Sequence, residues 1–85
     1  MRKSIDDAVD DHPPDDDERP PVSWALALSD DCDACGIGEL RVVLTMEESG
    51  RAGYGLVAHL APDTARRLRT AIAAALREIG ENPGP

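Results

Sequence analysis

YGLVAHLAPDTARRLRTAIAAALREI, residues 54–79, reads as a strand running directly into a helix. Tyr54, Leu56, Ala58 and Leu60 alternate with Gly55, Val57, His59 and Ala61, the period of two that a pleated strand shows when one face is buried. Pro62 ends that pattern. From there Ala65, Leu68, Ile72, Ala75, Leu76 and Ile79 recur at helical spacing, with Arg66, Arg69, Thr70, Ala73 and Arg77 on the other side. The ends agree with this reading. Proline is favoured at the first helical position, Asp63 complements the positive end of the helix dipole, and Gly80 followed by Pro83 forms a C-terminal stop.

Working backwards, two more strands show the same alternation. Val22–Ser29 places Val22, Trp24, Leu26 and Leu28 on one face, and residues 40–47 place Leu40, Val42, Leu44 and Met46 on one face. The turn from Glu48 to Gly53 contains Ser49, Gly50 and Gly53 and suits a reversal between antiparallel strands. Short connections predict a three-stranded antiparallel meander followed by one C-terminal helix packed on one sheet face, an α+β domain of order β-β-β-α over residues 22–82. Residues 83–85 form a flexible C-terminus.

Residues 1–21 read differently. They hold eight acidic residues against Arg2, Lys3 and Arg19, together with four prolines. Such a segment buries too little apolar surface to offset the entropy of ordering, so it is expected to be a disordered acidic tail, with Ile5, Ala8 and Val9 at most one amphipathic turn. What remains is a thin core. A domain of about 60 residues buries only about 60% of its unfolded surface, and this chain has one tryptophan, one tyrosine and no phenylalanine. Chains of this kind gain stability from a disulfide, a metal or a second copy.

The composition narrows the partners. A net charge of −8 argues against direct nucleic-acid or anionic-membrane binding and favours a basic protein partner. No apolar run reaches the length of a membrane span, and no apolar core of a signal peptide follows Met1-Arg2-Lys3, so the expected compartment is the cytoplasm. On the sheet face away from the helix, Ala25, Ala27, Val43, Val57 and Ala61 are expected to lie open to solvent and to form a homodimer or partner surface.

Chemistry is confined to Asp30-Asp31-Cys32-Asp33-Ala34-Cys35-Gly36, between the first two predicted strands. Three readings stand. Cys32 and Cys35 are plain loop residues, reduced or locally bridged; or they are two zinc ligands of a knuckle completed across a dimer; or they are a redox pair. The redox reading suits the site least, because a strand follows where a helix N-terminus is wanted and nearby aspartates raise a thiol pKa. His59 stands alone on its strand and His12 lies in the tail. No nucleophile, base and orienting acid fall together, and the chain reads as a non-enzyme.

The layout of Trp24 in an early strand, a cysteine-bearing loop, two short strands and Leu60-Ala61-Pro62-Asp63 opening a helix resembles the small BldB-like regulatory proteins of actinobacteria. One lysine against eight arginines fits a GC-rich genome of that kind. The resemblance implies a dimeric accessory regulator working beside a DNA-binding partner. Two functions therefore remain: a small acidic, homodimeric protein-interaction or regulatory module that binds a basic partner, and a small zinc-binding protein using Cys32 and Cys35.

Overall fold

The computed structural model describes residues 1–85. It is an α+β fold whose sheet has four antiparallel strands: β1 Arg2–Val9, β2 Val22–Ser29, β3 Arg41–Glu48 and β4 Leu56–Leu60. They pair in chain order, and the helix α1, Pro62–Glu78, follows. The meander, its antiparallel sense and the C-terminal helix agree with the sequence reading. The strand count does not.

The extra strand comes from the segment expected to be disordered. β1 pairs antiparallel with β2 from Arg2 opposite Ser29 to Val9 opposite Ser23, with an irregularity at Ile5 between the Ser4–Ala27 and Asp6–Leu26 pairs. Every residue of β1 is exposed. No side-chain burial drives it, so an apolar pattern could not announce it; the free backbone edge of β2 supplies the hydrogen-bond partners. Its register also brings the Met1 amino group within 2.5 Å of Asp30 Oδ1 and 2.8 Å of Asp31 Oδ1. That contact raises the pKa of the amine and lowers that of Asp30.

The three predicted strands hold their register across the sheet. Ala27 lies opposite Val43 and Val43 opposite His59, while Leu26 lies opposite Leu44 and Leu44 opposite Ala58. One face therefore carries Trp24, Leu26, Leu28, Val42, Leu44, Met46, Leu56 and Leu60. The other carries Ala25, Ala27, Ser29, Arg41, Val43, Thr45, Val57 and His59. β4 begins two residues later than the alternation suggests, because Gly55 runs against β3: a Cβ there would collide with the Met46 carbonyl oxygen and lie 2.6 Å from the Glu47 Cβ. Only glycine allows the chain to enter the strand so closely.

Helix α1 has the ends its sequence demands. Pro62 occupies its first turn with Asp63, and Ala61 caps it without a side-chain hydrogen bond. At the other end the Gly80 N–H donates to the Arg77 carbonyl at 3.0 Å and the Glu81 N–H to the Leu76 carbonyl at 2.8 Å. Gly80 takes a φ of 78°. This pair of bonds is the Schellman closure, which requires the left-handed residue that glycine supplies.

The helix lies over the predicted face, but loosely. It has no buried residue, and Leu68 and Ile72 remain 39% and 55% exposed. A groove of about 520 Å³ separates it from Leu26, Val42, Leu44 and Leu60. The stripe is also rotated relative to the expectation. Arg69, Thr70, Ala73 and Arg77 join Leu68 and Ile72 along the groove, whereas Ile79 is 72% exposed. The C-terminal residues explain part of this, since Pro83, Gly84 and Pro85 fold back into the groove and the Pro85 carbonyl accepts from Arg69 at 3.1 Å.

Candidate metal centre

The tightest place in the molecule lies on the other sheet face. Val43 is 2% exposed, Ala27 7% and Ser29 9%. These residues neighbour one another on β2 and β3, next to the β2–β3 loop. The loop does not project from the hairpin tip. It folds over this face until the Cys35 sulfur lies 3.4 Å from Nδ1 of His59, the residue directly across from Val43.

This corrects the expected open surface of Ala25, Ala27, Val43, Val57 and Ala61. Ala27 and Val43, at its centre, are buried within the single chain, Ala25 and Ala61 are half-buried, and Val57 remains 56% exposed. Two of the five are thus covered within one chain, beside the loop that folds onto this face.

The loop is built for a tight fold. The Gly36 N–H donates to the Cys32 and Asp33 carbonyls, both at 3.2 Å, and the Glu39 N–H donates to the Gly36 carbonyl at 3.1 Å. Gly36 has a φ of 113°, and a Cβ on it would meet Cγ of Glu39 at 3.0 Å. A glycine directly after the second cysteine is thus a geometric requirement.

Backbone amides of the turn set the thiol chemistry. The hydrogen bond from the Cys35 backbone N–H lowers the pKa of Cys32 below the usual thiol range, aided by the Cys35 side chain and the Ala34 N–H; burial and the charge of Asp33 oppose it with less effect. Asp33 does raise it, as expected, but the N–H at the sulfur outweighs the solvated carboxylate. Cys35 moves the other way. The hydrogen bond with Cys32 raises its pKa, with burial and the Cys32 charge adding to the rise, and Arg41 partly offsets them. The pair thus carries one thiolate readily and a second with difficulty.

Cys32, Cys35 and His59 place their donor atoms within 4.8 Å of one another. Tetrahedral zinc with Zn–S near 2.3 Å and Zn–N near 2.0–2.1 Å has ligand-to-ligand edges of roughly 3.5–3.8 Å. The 3.4 Å separation of Cys35 Sγ and His59 Nδ1 is close to such an edge already. Both cysteines are free and half-buried, and His59 is exposed. Two soft thiolates with an imidazole are the donors of a zinc site, and three protein donors leave one tetrahedral position for water or a ligand.

His59 is the residue that sequence reasoning passed over. On the sequence a complete site called for a second chain, because both histidines lay far from the cysteines. The sheet register removes that distance, since β4 neighbours β3 and the loop precedes β3. The signal was present in the alternation itself, which put His59 on the face of Val43. His12 plays no part: its Nε2 lies 2.7 Å from Oδ2 of Asp16 in the β1–β2 connection.

No family model, curated protein or solved structure matches the chain. No helix is long and apolar enough to cross a membrane.

Proposed function

We propose that this protein is a small zinc-binding protein whose Cys32-x-x-Cys35 knuckle is completed within the same chain by His59. The observation that carries the reading is the convergence of three ligand atoms from two separate elements within 4.8 Å. Loop residues and a strand residue distant in sequence meet there, on a glycine-closed turn whose amides favour the Cys32 thiolate. Asp33 adds negative charge beside the ligands, which favours a cation at moderate ionic strength, while the charge of Asp30 and Asp31 is partly offset by the Met1 amino group.

The test is direct. Purified under reducing conditions, the chain should bind one zinc per chain, and cobalt in its place should show a thiolate-to-cobalt charge-transfer band. His59→Ala should weaken zinc binding by more than the about 10- to 100-fold that loss of an outer-shell partner costs, and Cys32→Ser by more still, since a charged thiolate is lost. A ratio of one metal per two chains, unaffected by His59→Ala, would show four cysteines from two chains holding the ion instead.

A second reading rests on charge. The net charge of −8 supports an acidic interaction or regulatory module that engages a basic protein partner, and the two readings are compatible in one small protein. Metal binding would then hold the loop in one shape for that contact. The acidic loop is the surface to probe, and Asp30→Asn with Asp31→Asn should weaken capture of a basic partner if it docks there.

A further inference from the structure

The chain exposes more surface than a folded chain of its mass should. Its accessible surface is 6722 Å², whereas monomeric proteins of 9.1 kDa follow a scaling that gives about 4,900 Å². Its radius of gyration is 14.9 Å, against about 12 Å for a compact chain of this length. The surplus is about 1,800 Å² per chain.

Part of that surplus lies on the apolar face of the sheet. A sheet of four strands is about 19 Å wide and a helix with its side chains about 10 Å. Helix α1 approaches only β3 and β4, so one helix covers about half of the apolar face. Along the groove Ile72 is 55% exposed and Leu68 39%, and on the same sheet face Leu56 is 83% exposed and Met46 48%. Charge is divided in the same way. The helix holds four arginines against two acids, while the chain as a whole is at −8. Arg67 and Arg77 have no ion-pair partner within the chain.

We propose that a second copy of this chain docks on the groove between α1 and the sheet, so that each copy's helix helps cover the other's apolar face in a twofold dimer. The surplus on both copies, about 3,600 Å², is the upper limit of what the contact can bury, and less than half of it already reaches the roughly 1,600 Å² of a standard contact. A twofold contact uses the same patch on both copies. The groove lies on the sheet face opposite to Cys32, Cys35 and His59, so the dimer neither needs nor disturbs the metal centre.

Sedimentation of the full chain between about 1 and 100 µM, once with zinc and once with a chelator, tests this. The expected mass is about 18 kDa in both, twice 9.1 kDa, with a Tm that rises with concentration. Ile72→Asp and Leu56→Asp alter side chains that a single chain leaves mostly in water, so a monomer would tolerate both. In the dimer each should weaken association by about 100-fold or more. A parent that runs at 9.1 kDa with a concentration-independent Tm overturns the proposal. So does a dimer indifferent to both variants, which meets elsewhere, or one that forms only with zinc, which meets at the metal centre.

Discussion

The two faces of the sheet are covered in opposite ways. On one, an eleven-residue connection, residues 30–40, presses on Ala27 and Val43 and leaves the latter 2% exposed. On the other, a helix of 17 residues with a clear apolar stripe leaves none of its own residues buried. Side-chain size explains the contrast. Alanine, valine and serine present a shallow surface that backbone can approach, whereas Leu26, Val42, Leu44 and Leu60 line the gap beneath the helix and need interdigitating partners to fill it. Regular structure is thus no guide to where a small chain is tightly packed.

The largest expected effect tests the tight face. Val43→Asp would bury an unpaired charge under the loop, at a cost of about 3–5 kcal/mol out of a total that is about 5–15 kcal/mol for ordinary domains. The chain should be largely unfolded at every concentration, which far-UV circular dichroism in dilution reads. A folded variant would show that the loop lifts freely from the sheet.

The metal centre sharpens the same face. Cys32 loses its proton below the usual thiol range and Cys35 above it, and zinc must displace whichever protons remain. Between those two pKa values each ion should release close to one thiol proton, and below both close to two. Affinity should therefore rise with pH by about tenfold per unit in the first interval, about 1.4 kcal/mol. Calorimetry in buffers of different ionisation enthalpy counts the protons; none released would mean that the thiols are not the ligands.

The loose face should respond less, and with a different dependence. Leu68→Ala removes a side chain that is 39% exposed beside an unfilled groove, so in dilute chain it should cost about 1 kcal/mol, below the 2–5 kcal/mol of a buried leucine. The cost should grow with concentration as a second copy covers the site. Equal losses at high and low concentration, followed by urea titration, would place Leu68 outside any contact between copies.

The smallest effect is expected at β1. Its eight residues are all exposed, and its backbone bonds are offset by the entropy of ordering the strand, about 1–2 kcal/mol per residue. Removing residues 1–9 should shift Tm by no more than about 3 °C. A larger fall would show that capping the β2 edge matters more than side-chain burial suggests.

Local pattern by itself determined β2, β3, β4 and the helix. The alternation in Val22–Ser29, the proline at residue 62 and the glycine at residue 80 act within a few residues, through pleat geometry, fixed φ and the left-handed helix end, so they are legible without the rest of the chain. The glycine after Cys35 was legible as a turn for the same reason. The tertiary structure decided three other things. β1 exists because β2 offers an edge, which composition does not record. His59 joins Cys32 and Cys35 because the loop folds onto one face and β4 aligns across from Val43, a matter of register between strands distant in sequence. Ala27 and Val43 became the buried centre and the helix face stayed open for the same physical reason: small side chains let backbone close on them, while large ones leave gaps that only further apolar surface can fill.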